Sequence, residues 1–120
     1  MGLLGTLSLS LSLPLPRHGA RNLDTVPATI DALPRVARQV AGRVPVLVDG
    51  GIRRGTDIVK ALALGAQAVL IGRPYVFGLA VGGAAGVTRV IDILRNELEL
   101  AMKLCGVRSV ATIDQSALWL

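Results

Sequence analysis

Two short apolar runs, residues 44–48 and 68–71, each stop at a glycine-containing turn, and the stretch between them is rich in strong helix formers. Runs this short and this rich in Val, Leu and Ile predict strands buried on both faces. The intervening residues 56–64 predict a helix, with Thr56 as its N-cap candidate and Gly65 as its stop. Short connections in a strand–turn–helix–strand order predict βα units with parallel strands. Upstream, residues 26–33 read as a short helical turn, and Pro34 opens a second segment, 34–41, that Gly42 ends. Downstream, residues 75–80 predict a short helix and residues 82–86, Gly-Gly-Ala-Ala-Gly, a flexible connection. Then Val87, Val90, Ile91, Leu94, Leu98, Ala101 and Met102 form the stripe of an amphipathic helix over 87–104, closed by Gly106 and expected to cover the sheet. The tail offers Thr112 and Asp114 as caps.

Residues 1–16 differ from everything after them: leucine alternates with serine or threonine from Thr6 to Leu13, and no charged side chain appears. A period of two suits a half-exposed strand, and serines are poorly satisfied in an apolar interior, so this stretch is expected to be poorly ordered or to pack only marginally. It lacks the basic n-region and small-x-small site of a secretory signal. It is also too short and too interrupted for a transmembrane span. The reading therefore divides the chain into a low-complexity Leu/Ser segment, 1–16, and an ordered unit, 17–120.

With 120 residues the chain has room for one modest core but not for a complete eight-fold barrel, which takes about 250. Apolar residues make up 52% and charged residues 18%, which excludes a disordered tail. The net charge of +5, from eleven arginines and two lysines, favours anionic ligands. Those cations are scattered, and one Trp, one Tyr and one Phe make no stacking platform, so nucleic acid is not expected as a partner. A single cysteine, Cys105, excludes an internal disulfide and fits a reducing, cytoplasmic setting; its place in the helical stripe predicts a buried small hydrophobe. One histidine with dispersed carboxylates offers no metal site.

The chemistry concentrates at the strand ends. Asp49-Gly50-Gly51-Ile52-Arg53-Arg54-Gly55 follows the first run and Gly72-Arg73-Pro74 the second. Glycine lets the main chain approach a phosphate closely, and arginine adds charge and forked donors. Barrels of alternating strands and helices bind phosphate with the loops after their last two strands, aided by a short extra helix. Asp49 is placed to hold the turn or to bind a hydroxyl. Arg53 and Arg54 are adjacent and cannot share one pocket equally. His18 and Arg21 form a second group: histidine takes a proton near neutral pH, and arginine clamps a carboxylate. Away from a phosphate turn, such a pair is more often structural or solvated.

His18-Gly19-Ala20-Arg21-Asn22-Leu23-Asp24, Pro27-Ala28-Thr29, the segment Asp49 to Asp57, Lys60 to Ala66, and Ile71-Gly72-Arg73-Pro74 together resemble the FMN-dependent 2-hydroxy-acid oxidases and dehydrogenases, relatives of glycolate oxidase and of lactate and mandelate dehydrogenase. The resemblance runs from about His18 to Asp114 and corresponds to the last third of a family member. It implies an α/β fold, a partial TIM (β/α)8 barrel of C-terminal βα units with a long C-terminal helix. It implies FMN as cofactor and oxidation of a small 2-hydroxy acid to a 2-oxo acid. His18 resembles the base that removes the substrate's proton, and Arg21 the group that binds its carboxylate. Asp49, Gly50, Gly51, Ile52 and Arg53 match the segment contacting the ribityl chain and phosphate of FMN, and Gly72 with Arg73 the second phosphate turn.

Two departures accompany the match. The family carries Ser-Asn before the histidine, whereas this chain carries Pro16-Arg17 after the Leu/Ser stretch, and the family's earlier strands have no counterpart. The chain is thus expected to be a truncated member, inactive alone. The alternative from another class is a noncatalytic βα fragment with residual phosphate binding, packing onto another chain or onto itself as a homo-oligomer through exposed strand edges. FMN-dependent isopentenyl diphosphate isomerases share the glycine–arginine turns, but His18 with Arg21 argues for the hydroxy-acid chemistry. No membrane association is expected.

Overall fold

The structure is a computed structural model describing residues 27–118 and the backbone of Leu9–Ser10. Strands β1 (Leu9–Ser10), β2 (Val46–Asp49) and β3 (Ala68–Leu70) form one sheet in that order. Both pairings are parallel, with Leu9 opposite Val46, Leu47 opposite Ala68 and Asp49 opposite Leu70. Helix α1 (Thr29–Val40) precedes β2, α2 (Gly55–Ala63) joins β2 to β3, and α3 (Arg73–Leu104) follows. Two residues of the Leu/Ser segment, Leu9 and Ser10, thus pair with β2, and the rest of that segment lies outside the described residues. Its period-two pattern suits pairing with the free edge of β2.

β2 begins two residues later than the apolar run suggests, because Pro45 has no N–H for the ladder. The ladder is instead extended by a side chain: Val46 N donates to Gln67 Oε1 at 2.5 Å, and Gln67 N donates to Val46 O at 2.8 Å. Val46 and Val48 point to one face and are buried there with Leu33 and Val40 of α1, Ala61 of α2, Ile52 and Ala66. Both helices therefore lie on one side of the sheet. Parallel strands in sequential order, with α1 and α2 on one face, are the arrangement of a barrel rather than of an open doubly wound sheet. The fold is a partial (β/α)8 barrel.

The two segments expected around Pro34 are one helix, with Pro34 inside it. An interior proline costs about 3 kcal/mol. Burying Leu33 and Val40 returns roughly 1.5 to 3 kcal/mol each, enough to keep the helix continuous. Its end is capped from outside. Ala41 adopts a left-handed φ of 50°, and the Arg43 side chain donates to Val40 O at 3.0 Å and Gln39 O at 2.7 Å, placing a cation on the terminal carbonyls.

α2 ends as expected at Gly65, where Gly65 N donates to Leu62 O and Ala66 N to Ala61 O, both at 3.0 Å. Gly65 has φ of 106°, and a Cβ on it would come within 2.7 Å of Ala37 Cβ, so both backbone and packing require glycine. α3 is broken at Gly82 and Gly83, where the flexible connection was expected. Across this break the halves touch backbone to backbone: a Cβ on Gly86 would overlap the Gly78 carbonyl. By length and composition alone α3 could cross a membrane, but this break divides it.

Three expectations need correction. α3 makes its main contact with α2 rather than with the sheet, with Leu94 and Ala101 buried and Ile91 exposed on its stripe. β3 is not buried on both faces, because the face opposite the helices is uncovered among the described residues, and Leu70 is 41% exposed. Cys105 is exposed, since it lies just past the last turn of α3 rather than on its inner stripe.

Thr112 is not a cap; its hydroxyl donates to Ser109 O at 2.8 Å, and Ser109 caps the turn Val110–Thr112. Asp114 is a cap, as expected, accepting from Ser116 Oγ at 2.5 Å and Ser116 N at 2.9 Å. These bonds, first from the hydroxyl and then from the amide, hold its carboxyl below the usual aspartate value. A depressed folded value means that the cap's contribution is present above the unfolded value and lost as pH falls through the folded one. The Ser116 amide resonance should therefore hold steady from neutral pH down to the ordinary aspartate range and move only below it, and Asp114→Asn should abolish that movement.

Candidate functional site

Because β2 and β3 are parallel and in register, the turns that follow them leave the same edge of the sheet, from strands about 4.8 Å apart. After Asp49, the main chain passes through Gly50 at φ 92° and Gly51 at φ 83°, conformations that side chains other than glycine rarely adopt. A Cβ on Gly51 or on Gly72 would meet nothing within 4 Å, so both turns border open space. Ile52 then turns inward and is buried in the core, which pins the turn to the sheet and leaves only its main chain for a ligand. Arg53, Arg54, Gly72 and Arg73 are exposed. Asp49 lies on the sheet face opposite the helices, beside Leu70.

The two helix starts at this edge are not equivalent. At α2, Asp57 Oδ2 accepts from Arg53 N at 3.0 Å and Arg54 N at 2.9 Å, and Glu97 Oε2 on α3 accepts from Gly55 N at 2.8 Å. Three consecutive amides are thus taken by the chain's own carboxylates, and Thr56, the expected N-cap, is inside the helix. At α3, Gly72 is the N-cap, no side chain caps it, and Pro74 stands in the first turn. An anion at this edge is attracted to the start of α3 and to the arginines rather than to the start of α2. Arg53 and Arg73 are available for it: among the described residues the one ion pair joins Arg95 and Glu99 at 3.7 Å.

The structure therefore brings Asp49, Gly50, Gly51, Gly72 and Arg73 to one sheet edge, with Arg53 exposed on the same turn. His18 and Arg21 lie outside the described residues. Sequence reasoning passed over Asp57 and Glu97. Asp57 carried a signal, an acid three residues after the helix start, as in a capping box. Glu97 carried none, being 42 residues from Gly55.

A partial barrel with two glycine–arginine turns at its strand ends belongs to the (β/α)8 class of α/β proteins, in which the loops after the last two strands frequently form a phosphate site. Residues 14–120 match the FMN-dependent dehydrogenase family, and the chain belongs to that family. It is 67% identical over 99 residues to a peroxisomal (S)-2-hydroxy-acid oxidase of Oryza sativa subsp. japonica, covering 82% of this chain and 27% of that protein. It is 59% identical over 103 residues to an L-lactate oxidase of Nostoc, covering 86% and 28%. Among solved structures, the flavin-binding domain of baker's yeast flavocytochrome b2 superposes with a TM-score of 0.77 at 42% identity, covering 83% of this chain and 27% of that one. A mandelate oxidase variant holding an FMN adduct gives 0.77 at 46%, covering 80% and 31%. The chain spans about a quarter of the length of the curated relatives it matches.

The family is FMN-dependent, and the described residues fit the phosphate end of such a cofactor: two open glycine turns, an uncapped helix start, and two arginines free of ion pairs. The turn itself depends on close packing. A Cβ on Gly55 would overlap Leu98 N of α3 and come within 2.6 Å of Glu97 Cβ. Gly55→Ala should therefore force α2 and α3 apart and lower stability by about 1 to 3 kcal/mol, the scale of an overpacked core, as measured by urea unfolding.

Proposed function

We propose that residues 17–120 form the phosphate- and carboxylate-binding end of a barrel that oxidises a small 2-hydroxy acid to the 2-oxo acid. The observation carrying this reading is the pair of glycine–arginine turns leaving adjacent parallel strands at one edge. FMN, when bound, supplies the acceptor for the two electrons. In this reading the main chain at Gly50, Gly51 and Gly72 meets the cofactor phosphate, and Arg53 and Arg73 neutralise it. Asp49 accepts a hydrogen bond from a ribityl hydroxyl, and Ile52 offers main chain alone. Arg21 binds the substrate carboxylate in a forked contact, which fixes the substrate's orientation. His18 takes the proton released as the substrate is oxidised.

The uncovered sheet face supports a second element. Leu70 on that face, and Phe77 and Val81 on the first half of α3, at 65% and 91% exposed, make apolar surface that a complete barrel would cover. The remaining βα units, on this chain's own full-length form or on another chain, are the partner this surface suits; without them the chain is a noncatalytic fragment with residual phosphate affinity. A reducing compartment suits the lone thiol Cys105, and the rice relative's name adds the peroxisome to the cytoplasm as the sites that a localisation experiment would separate.

The 120-residue chain alone should show no flavin absorbance and no oxidation of glycolate, lactate or mandelate. In a barrel completed with the upstream units, Arg53→Ala or Arg73→Ala should weaken FMN binding by roughly 1.5 to 3 kcal/mol, the scale of a charge-assisted hydrogen bond, measured by flavin fluorescence. His18→Ala there should abolish turnover while leaving FMN bound. Flavin retention unchanged in both arginine variants would overturn the phosphate assignment, and turnover surviving in His18→Ala would remove its role as base.

A further inference from the structure

The turn after β2 is anchored at both ends, and one anchor comes from the far end of the chain. Its start is fixed by the strand register and by burial of Ile52. Its end is fixed twice. Asp57 binds the Arg53 and Arg54 amides from within α2, and Glu97, half-buried on the second half of α3, binds the Gly55 amide at 2.8 Å. The main chain of α3 at Glu97 and Leu98 packs so closely on Gly55 that a Cβ has no room. The first half of α3 begins at the second turn, after Gly72, and its second half, beyond the break at Gly82 and Gly83, holds the end of the first turn.

Building on the reading of 49–53 as a phosphate turn, we propose that Glu97 is a positioning residue for that turn. It fixes the start of α2 against α3, so that Gly50, Gly51 and Arg53 keep their geometry before a ligand arrives. A carboxylate suits this task because it binds an amide at a helix start with charge assistance. The start of α2 already has a local cap in Asp57, so the contact from Glu97 adds a link between elements rather than helix formation. Binding a flexible turn costs conformational entropy, which a pre-formed turn avoids. Glu97 touches no ligand in this scheme; it acts through Gly55.

The test uses the 120-residue chain with Glu97→Ala, Glu97→Asp and Glu97→Gln, read by amide hydrogen exchange and by titration with inorganic phosphate. Alanine removes the acceptor and aspartate shortens its reach, so both should speed exchange at Gly55 and Arg53 about tenfold relative to Val48 and Ala61, and weaken phosphate binding by a similar factor. Glutamine retains an acceptor oxygen at the same reach and should stay within about threefold of the unmodified chain in both readouts. If the alanine variant does not fold, the aspartate and glutamine pair carries the comparison. Equal acceleration at turn and core, no acceleration at Gly55, or glutamine behaving like aspartate would overturn the proposal. Absence of any saturable phosphate-dependent shift at Gly51 or Gly72 in the unmodified chain would instead defeat the phosphate reading, and the exchange comparison would still decide the role of Glu97.

Discussion

The register between β2 and β3 governs what the rest of the molecule can do. With Leu47 opposite Ala68 and Asp49 opposite Leu70, both strands run the same way and end together, so the turns after them emerge side by side. An antiparallel pairing would send those turns to opposite ends of the sheet. The parallel arrangement needs a crossover, and α2 supplies it by packing Ala61 onto the face where Val46 and Val48 are already covered by Leu33 of α1. Burying one face with both helices leaves the other face, with Leu70 and Asp49, for a barrel interior.

Electrostatics then separates two helix starts that look alike in the sequence. Each follows a strand, a glycine and an arginine. At α2 the amides of Arg53, Arg54 and Gly55 are satisfied by Asp57 and Glu97, so these three donors are already occupied. At α3 no side chain caps the helix, and Arg73 is its first residue. One start is therefore structural and the other is open, although Gly50, Gly51 and Arg53 of the first turn remain exposed toward the same edge.

Glycines set how closely the layers approach. Gly55 admits the backbone of α3 onto the start of α2, and Gly78 and Gly86 admit the two halves of α3 onto each other. These contacts hold a small core together where large side chains are few: Leu33 and Val48 are the largest fully buried ones among the described residues. Apolar surface on Leu70, Phe77 and Val81 is left exposed among the described residues.

Much of the fold was legible in the sequence because local physics carries it. Apolar runs ending in glycine marked β2 and β3, Gly65 and Gly106 marked helix ends through their left-handed conformation, and the spacing of Leu94 and Ala101 marked the inner face of α3. Those signals reside within a few residues of one another, and so did the glycine–arginine motifs that pointed to a phosphate. Tertiary structure decided the rest. Burial of Leu33 and Val40 keeps α1 continuous through Pro34, against the local preference for a break. The side-chain direction of Ile52, the exposure of Leu70 and Cys105, and the packing of α3 on α2 all depend on which surfaces meet, and a strand or stripe pattern does not say what lies opposite it. The bond from Gly55 to Glu97 spans 42 positions and has no periodicity to betray it, because it exists only once the crossover has brought α2 and α3 together.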